Sequence, residues 1–236
     1  MHILTIPQAK ITFSKPLPDT VYTLVGGGRP PAIGWLQATA TRPLWAIDHG
    51  LDVCLSADRL PDLIIGDGDS AAKENWKKAL SLGIPIEKFP KAKDYTDTQL
   101  ALRRLKEKTP ALILFTGVFG GRLDHMLSTV LSFASLNMAG ILADDKECCL
   151  LLRDGESVVY EASARPLAVS LLALSDTVTG VTIDGVRWQL KDATLERYMP
   201  YAISNELADD STACTVSIKT GCMLLYIVEA CTSADL

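Results

Sequence analysis

The chain has 236 residues, 48% of them hydrophobic and 22% charged, with a formal net charge of −5. That is enough for one large domain or two small ones, each around a real core, and the composition is that of an ordinary globular protein. The acidic balance argues against nucleic acid as the main partner, and no apolar run approaches the ~18–20 residues of a membrane helix.

Met1-His2-Ile3-Leu4-Thr5 has neither the basic region nor the apolar stretch of a secretion signal. The six cysteines are Cys54, Cys148, Cys149, Cys214, Cys222 and Cys231, and none forms a C-x-x-C pair. Reduced, mostly buried thiols in a cytoplasmic protein are therefore expected, and a zinc site is not.

Residues 1–20 hold an extended-looking piece, Lys10–Phe13, that the pattern does not place. From Val21 to about Asp144, short apolar runs alternate with amphipathic helical patterns. The runs are Val21–Val25, Leu44–Ile47, Leu63–Ile65, Ile84–Phe89, Ala111–Thr116 and Ile141–Ala143. They are continuous rather than alternating, as strands buried on both faces should be. Asp69 or Ser70 is expected to cap a helix over 71–82, with Gly83 at its end. Thr96-Asp97-Thr98-Gln99 reads as a capping box for a helix ending before Pro110. The segment 122–139 puts Leu123, Met126, Leu127, Val130, Leu131 and Ala134 on one stripe, with Gly140 as its stop. The pattern predicts residues 1–144 as an α/β domain, a Rossmann-like, mainly parallel sheet with helices on both faces.

After about Asp145 the signal changes. Short β-type runs at Cys148–Arg153, Ser157–Glu161, Leu167–Ala173, Val178–Ile183, Val186–Leu190, Thr215–Ile218 and Met223–Val228 are punctuated by Asp154-Gly155, Asp184-Gly185 and Thr220-Gly221. Residues 145–236 are expected to form a second, all-β domain, a sandwich or open barrel.

The placement of acids is the informative feature. Ligands of an open parallel sheet bind beyond the carboxyl ends of its strands. Asp48 follows one run, Asp67 and Asp69 the next, Asp94 and Asp97 the next, and Asp124 lies just past the loop that follows Ala111–Thr116. Crowded carboxylates repel one another unless a cation intervenes, and Mg²⁺ takes one or two carboxylates with substrate phosphates and water. Alone, Gly66-Asp67-Gly68-Asp69-Ser70 is a turn or a helix cap. Together with the other acids on one sheet edge it reads as a metal–phosphate site. Gly117-Val118-Phe119-Gly120-Gly121-Arg122 permits close backbone approach, and Arg122 can fork onto phosphate. His125 lies about one turn further on and can face the same cleft. Gly26-Gly27-Gly28-Arg29 can line a nucleotide pocket, although it is neither G-x-G-x-x-G nor a Walker A loop, and the protein-kinase signature is absent.

These elements, in this order, resemble the thiamine pyrophosphokinase family. The resemblance rests on Ala46-Ile47-Asp48-His49-Gly50, Pro61 to Ser70, Lys93-Asp94-Tyr95-Thr96-Asp97, Gly117 to His125, Gly185-Val186-Arg187-Trp188-Gln189-Leu190 and Ser204-Asn205-Glu206. It implies transfer of the pyrophosphoryl group of ATP to the hydroxyethyl oxygen of thiamine, giving thiamine diphosphate and AMP, by a Mg²⁺-dependent homodimer with its site between subunits. By position it implies Asp67, Asp69 and Asp97 as Mg²⁺ ligands. Asp48, Asp94, Arg122 and Asp124 become catalytic or phosphate-contacting groups, with Asp48 or Asp124 as the base. Gly27, Gly28, Asp48, Gly117, Gly121, Arg122 and His125 line the nucleotide pocket, and Trp188, Ser204 and Asn205 face thiamine. His49 departs from the family's usual Asp-Gly-Gly, and Val186 from its usual Leu or Met. A pterin-type acceptor and a non-catalytic nucleotide- or thiamine-binding regulator are the alternatives; Trp188 and Ser204-Asn205 favour thiamine.

Overall fold

A computed structural model describes residues 2–89, 94–108 and 110–230. The chain opens with an antiparallel hairpin of β1 (Ile3–Ile6) and β2 (Ala9–Phe13). It continues through β3 (Val21–Val25), α1 (Ile33–Thr39), β4 (Leu44–Ile47), α2 (Gly50–Ser56), β5 (Leu63–Ile65), α3 (Lys73–Ser81) and β6 (Ile86–Glu87). Then come α4 (Asp97–Lys106), β7 (Leu112–Thr116), α5 (Leu123–Ser135) and β8 (Gly140–Ala143). The remaining strands are β9 (Glu147–Arg153), β10 (Ser157–Ala162), β11 (Ala168–Ala173), β12 (Thr177–Asp184), β13 (Leu190–Glu196), β14 (Ala213–Ser217) and β15 (Cys222–Val228). No helix among the described residues is long and apolar enough to cross a membrane.

The chain divides into two compact units. One is Pro18–Asp144, and the other joins the chain up to Leu17 with the chain from Asp145 onward. The expectation of a domain over 1–144 is corrected at its N-terminus. β2 pairs with β10 from Ala9↔Ala162 to Phe13↔Val158, so the opening hairpin completes the β-rich unit. Its hydrogen-bonding edge finds a partner there, which a sequence pattern does not display.

In Pro18–Asp144 the strands lie in the order β8-β7-β3-β4-β5-β6, and every neighbouring pair is parallel. The chain runs outward from β3 to β6, then returns to place β7 and β8 on the other side of β3. The order therefore reverses between β3 and β7, the kind of position where open parallel sheets leave a crevice. Val25, Leu36, Ala46, Leu51, Cys54, Ile64 and Ala79 form one buried cluster joining α1, α2 and α3 to β3, β4 and β5. Burying a Leu or Ile side chain there contributes about 1.5–3 kcal/mol.

Two helix boundaries differ from expectation. α3 begins at Lys73 with Ala72 as N-cap, and neither Asp69 nor Ser70 caps it. Asp52 of α2 does that work: its Oδ2 accepts the Ala72 N–H at 2.9 Å and its Oδ1 accepts Asn75 Nδ2 at 2.7 Å. α5 stops at Ser135, and Asn137 takes the left-handed turn (φ 53°), while Gly140 is already in β8. A Cβ on Gly140 would sit 2.5 Å from the Ile113 carbonyl oxygen, so close strand packing explains that glycine. Thr96 caps α4 as expected, with the reciprocal Gln99 bond of a capping box. The stripe of α5 is also turned: Leu123, Leu127 and Leu131 are exposed, and Thr129 and Phe133 face inward.

In the β-rich unit one sheet has the order β1-β2-β10-β14-β12-β13, and β11-β15-β9 form an antiparallel group. The expected strand Val186–Leu190 is instead a loop, held by the isolated bridge Val186↔Leu207. The strand begins at Leu190 and runs through Lys191 and Asp192, residues too polar for a β signal. Cys54, Cys148, Cys149 and Cys214 are buried thiols. Burial pushes the Cys54 and Cys214 thiols up to about 12. Cys231 and Lys93 lie outside the described residues.

Candidate active site

A cleft of about 580 Å³ opens at the strand reversal. Its walls come from the segments that follow β3, β4 and β7, with Ser70 and Thr98 at its side. Gly27, Gly28, Asp48, Gly117, Gly121, Arg122 and His125, the residues expected on the nucleotide side, all line it. Backbone builds much of this surface. Gly28 N–H donates to Gly117 O at 2.7 Å, and Arg29 N–H donates to Phe119 O at 2.7 Å, so the loops after β3 and β7 are zipped together. A Cβ on Gly28 would lie 2.7 Å from Gly117 O and 2.9 Å from Phe119 O, so only glycine allows that approach.

The acids divide into those the fold gathers and those it leaves apart. Asp48 sits at φ 51°, and its N–H donates to Ile65 O at 3.0 Å. A Cβ on Gly66 (φ 144°) would overlap Asp48 Oδ1, so the glycine lets the Asp48 carboxylate lie against the start of the acid loop. Within that loop Asp67 Oδ1 accepts the Asp69 N–H at 3.0 Å. Asp67 is half-buried and Asp69 exposed. Because Asp52 serves the start of α3, the capping explanation for Asp69 and Ser70 falls. Asp97 is the first residue of α4 and half-buried, and Asp94 is exposed. Asp67, Asp69, Asp94, Asp97 and Asp124 do not line the cleft wall.

Among the described residues no three His, Cys, Asp or Glu side chains converge into a ready metal cage. The donors on the Asp67–Asp69 loop still fit a hard cation such as Mg²⁺. They are oxygen only, and two carboxylates suffice when substrate phosphates and water complete the shell.

Arg122 and Asp124 form a fork, with Nε to Oδ1 at 3.1 Å and Nη2 to Oδ2 at 2.6 Å. Hydrogen bonding to Arg122, above all, holds the Asp124 carboxyl below the usual carboxylate range, and the same bond raises Arg122. Asp124 is thereby a weaker base than an ordinary aspartate. His125 lines the cleft, and its N–H donates to Asp124 Oδ1 at 3.0 Å.

In the β-rich unit, Trp188 sits on the loop that replaces the expected strand, 56% exposed. A core role for it is thereby excluded. Asn205 fixes this loop: its Oδ1 accepts Trp188 N–H at 3.1 Å and its Nδ2 donates to Trp188 O at 2.7 Å. The Arg187 guanidinium carbon lies 5.1 Å from the Trp188 ring centroid. Trp188 and Asn205 line a pocket of about 150 Å³ with Val169, Leu171, Ile183 and Tyr201. Ser204 does not line it. It stands at φ 55°, and its N–H donates to Ser170 Oγ at 3.0 Å.

Sequence reasoning gave Arg29 no role beyond its place in the Gly26-Gly27-Gly28-Arg29 run, and gave Thr98 and Tyr201 no site role. Only Arg29 carried a signal, its place directly after three glycines at a strand end.

Two family descriptions match the chain. Residues 37–141 match "Thiamin pyrophosphokinase, catalytic domain", and residues 163–223 match "Thiamin pyrophosphokinase, vitamin B1 binding domain". Together they span more than two thirds of the chain. The thiamine pyrophosphokinase of Bacillus subtilis is 26% identical over 195 residues, 80% of this chain and 89% of that protein. The crystal structure of the Bacillus subtilis thiamine pyrophosphokinase superposes with a TM-score of 0.77 at 22% identity, covering 90% of this chain and 100% of that one. The Geobacillus thermodenitrificans thiamin pyrophosphokinase gives 0.76 at 26%, covering 91% and 99%. With both matched domains in the expected order on a fold shared with these structures, the chain belongs to the thiamine pyrophosphokinase family and is an enzyme of that class.

Proposed function

We propose that the chain transfers the pyrophosphoryl group of ATP to the hydroxyethyl oxygen of thiamine. The observation that carries this reading is the cleft at the strand reversal, lined mostly by the matched catalytic segment, with glycine backbone on one wall and Asp48 locked against an acid loop. The thiamine oxygen forms a bond to the β-phosphorus of ATP, and the bond from that phosphorus to the α,β-bridging oxygen breaks. AMP leaves with that electron pair. The alcohol proton passes to a carboxylate. Asp48 suits this role better than Asp124, because it lines the cleft and Asp124 is tied to Arg122. Such transfers rest on positioning and charge stabilisation. Arg122 and the glycine N–H groups of the cleft supply donors for the phosphates. Asp67 and Asp69, with Asp97 as the third expected ligand and Asp94 beside it, would hold Mg²⁺. That ion, when bound, offsets the negative charge of the polyphosphate.

On the acceptor side, exposed Trp188 offers an aromatic face to a cationic thiazolium ring, with Asn205 holding its loop and Ser204 next to it. The reading includes a Rossmann-like domain with helices on both faces, a β-sandwich, a cytoplasmic setting and a homodimer with the site between subunits. Apolar surface left exposed at Leu123, Leu127 and Leu131, and at Tyr198, Met199, Tyr201 and Ile203, supports a second copy. The net charge of −5 gives no support to a nucleic-acid partner. Incubation with ATP, Mg²⁺ and thiamine should yield AMP and thiamine diphosphate in equal amounts. ADP with thiamine monophosphate would overturn the proposed transfer.

A further inference from the structure

Arg29 leaves β3 at its carboxyl end, and Asp144 leaves β8 at its own, with β7 lying between those strands. The side chain of Arg29 nevertheless reaches Asp144. Nε donates to Oδ2 at 3.1 Å and Nη2 donates to the same oxygen at 2.6 Å. Asp144 is fully buried, and the Arg29 side chain is 30% exposed. A buried carboxylate without a cation is strongly unfavourable, so the pair constrains both partners. The backbone is constrained as well, through the Arg29 N–H bond to Phe119 O. Gly120 (φ 70°) would place a Cβ 3.1 Å from Arg29 Cβ, so this glycine clears the path of the side chain. Arg29 also lines the cleft, beside Gly27, Asp48 and Arg122.

The contrast with Arg122 is instructive. Arg122 and Asp124 are 74% and 62% exposed and two residues apart, so their fork gives way easily to water or to a ligand. The guanidinium of Arg29 is already ordered before any ligand arrives. A cation held in this way loses little conformational freedom when it meets an anion.

Resting on the reading that the cleft takes ATP, we propose that Arg29 is the preorganised phosphate-contacting cation of the nucleotide site, and that Asp144 is its positioning residue. Asp144 acts through Arg29 and does not touch the nucleotide.

Titration of the whole protein with MgATP, adenosine and tripolyphosphate tests this. Arg29→Gln should weaken MgATP and tripolyphosphate by at least about tenfold, the size of a lost charge-assisted hydrogen bond, and leave adenosine unchanged. Asp144→Asn should raise the KM for ATP several-fold with the KM for thiamine unaltered, and Arg29→Lys should restore part of the phosphate affinity. Single variants leave a buried charge uncompensated, so the double variant Arg29→Met, Asp144→Leu provides a folded control. It should melt near the parent temperature and still lose the tripolyphosphate affinity. Parent-like tripolyphosphate and MgATP affinity in that folded double variant would overturn the proposal and leave the pair a structural clamp. If the parent protein binds neither MgATP nor tripolyphosphate, the nucleotide reading itself fails, and the role of Arg29 fails with it.

Discussion

The two units prepare their surfaces by opposite means. In Pro18–Asp144 the cleft is made largely of main chain, with Gly28 against Gly117 O and Asp48 fitted into the space over Gly66. In the β-rich unit the candidate acceptor surface is made of side chains, with Trp188, Tyr198 and Tyr201 exposed on loops and edges. The core of that unit carries a buried polar pair, in which Tyr160 donates to Glu229. Triphosphates of different nucleosides present the same oxygens, so fixed backbone donors serve them. A flat heterocycle is recognised through an aromatic face and a shaped pocket.

The largest expected effect breaks the first region at its acids. Asp69→Asn should lower kcat by about 10²–10³-fold, the usual size for loss of a charge-stabilising group. The melting temperature should hardly move, because Asp52 and not Asp69 serves the start of α3. A loss of stability with turnover intact would return Asp69 to a structural role.

The second effect is a pH dependence seated in the other unit. Burial raises the Glu229 carboxyl from 4.5 to about 7. The folded state therefore binds this proton more tightly than the unfolded state does. The group's contribution to stability is fully present below about 4.5, falls as pH rises to about 7, and is constant beyond. At about 1.4 kcal/mol per unit, the full change is roughly 3 kcal/mol. Glu229→Gln should flatten the fall in melting temperature across that window. An unchanged slope would show that Glu229 is not its source.

Trp188→Ala sharpens the comparison directly. It should raise the KM for thiamine by about tenfold, or 1.4 kcal/mol, and spare the KM for ATP. Equal losses for both substrates would count against a platform confined to one side. The smallest effect is Asp52→Ala, which should cost about 1 kcal/mol in a thermal or urea melt by exposing the start of α3. No change would mean that water or a neighbour satisfies Ala72 N–H equally well.

Much of this protein was legible in its sequence where the signal is local. β3, β4 and β5 were read from continuous apolar runs, the capping box of α4 from Thr96 and Gln99, and the resemblance from motifs whose residues are contiguous. The short helices α1 and α2 escaped, since seven residues show too little periodicity. The loop carrying Trp188 was read as a strand because Val186, Trp188 and Leu190 alternate as strand residues do. The α5 stripe was legible as periodicity, but periodicity shows only that a helix has an apolar face, and not which neighbour will cover it: Leu123, Leu127 and Leu131 are exposed.

The sequence by itself determined the alternation of strands and helices, the order of the acids along the chain and the family to which these motifs point. Each depends on residues within a few positions of one another. Only the tertiary structure decided that the opening hairpin joins β10, that Asp52 frees Asp69 from capping, and that Arg29 meets Asp144. These pairings are 145, 20 and 115 residues apart or more. They exist because the sheet order brings distant strand ends together, and buried polar groups then take whichever partner the fold places within reach.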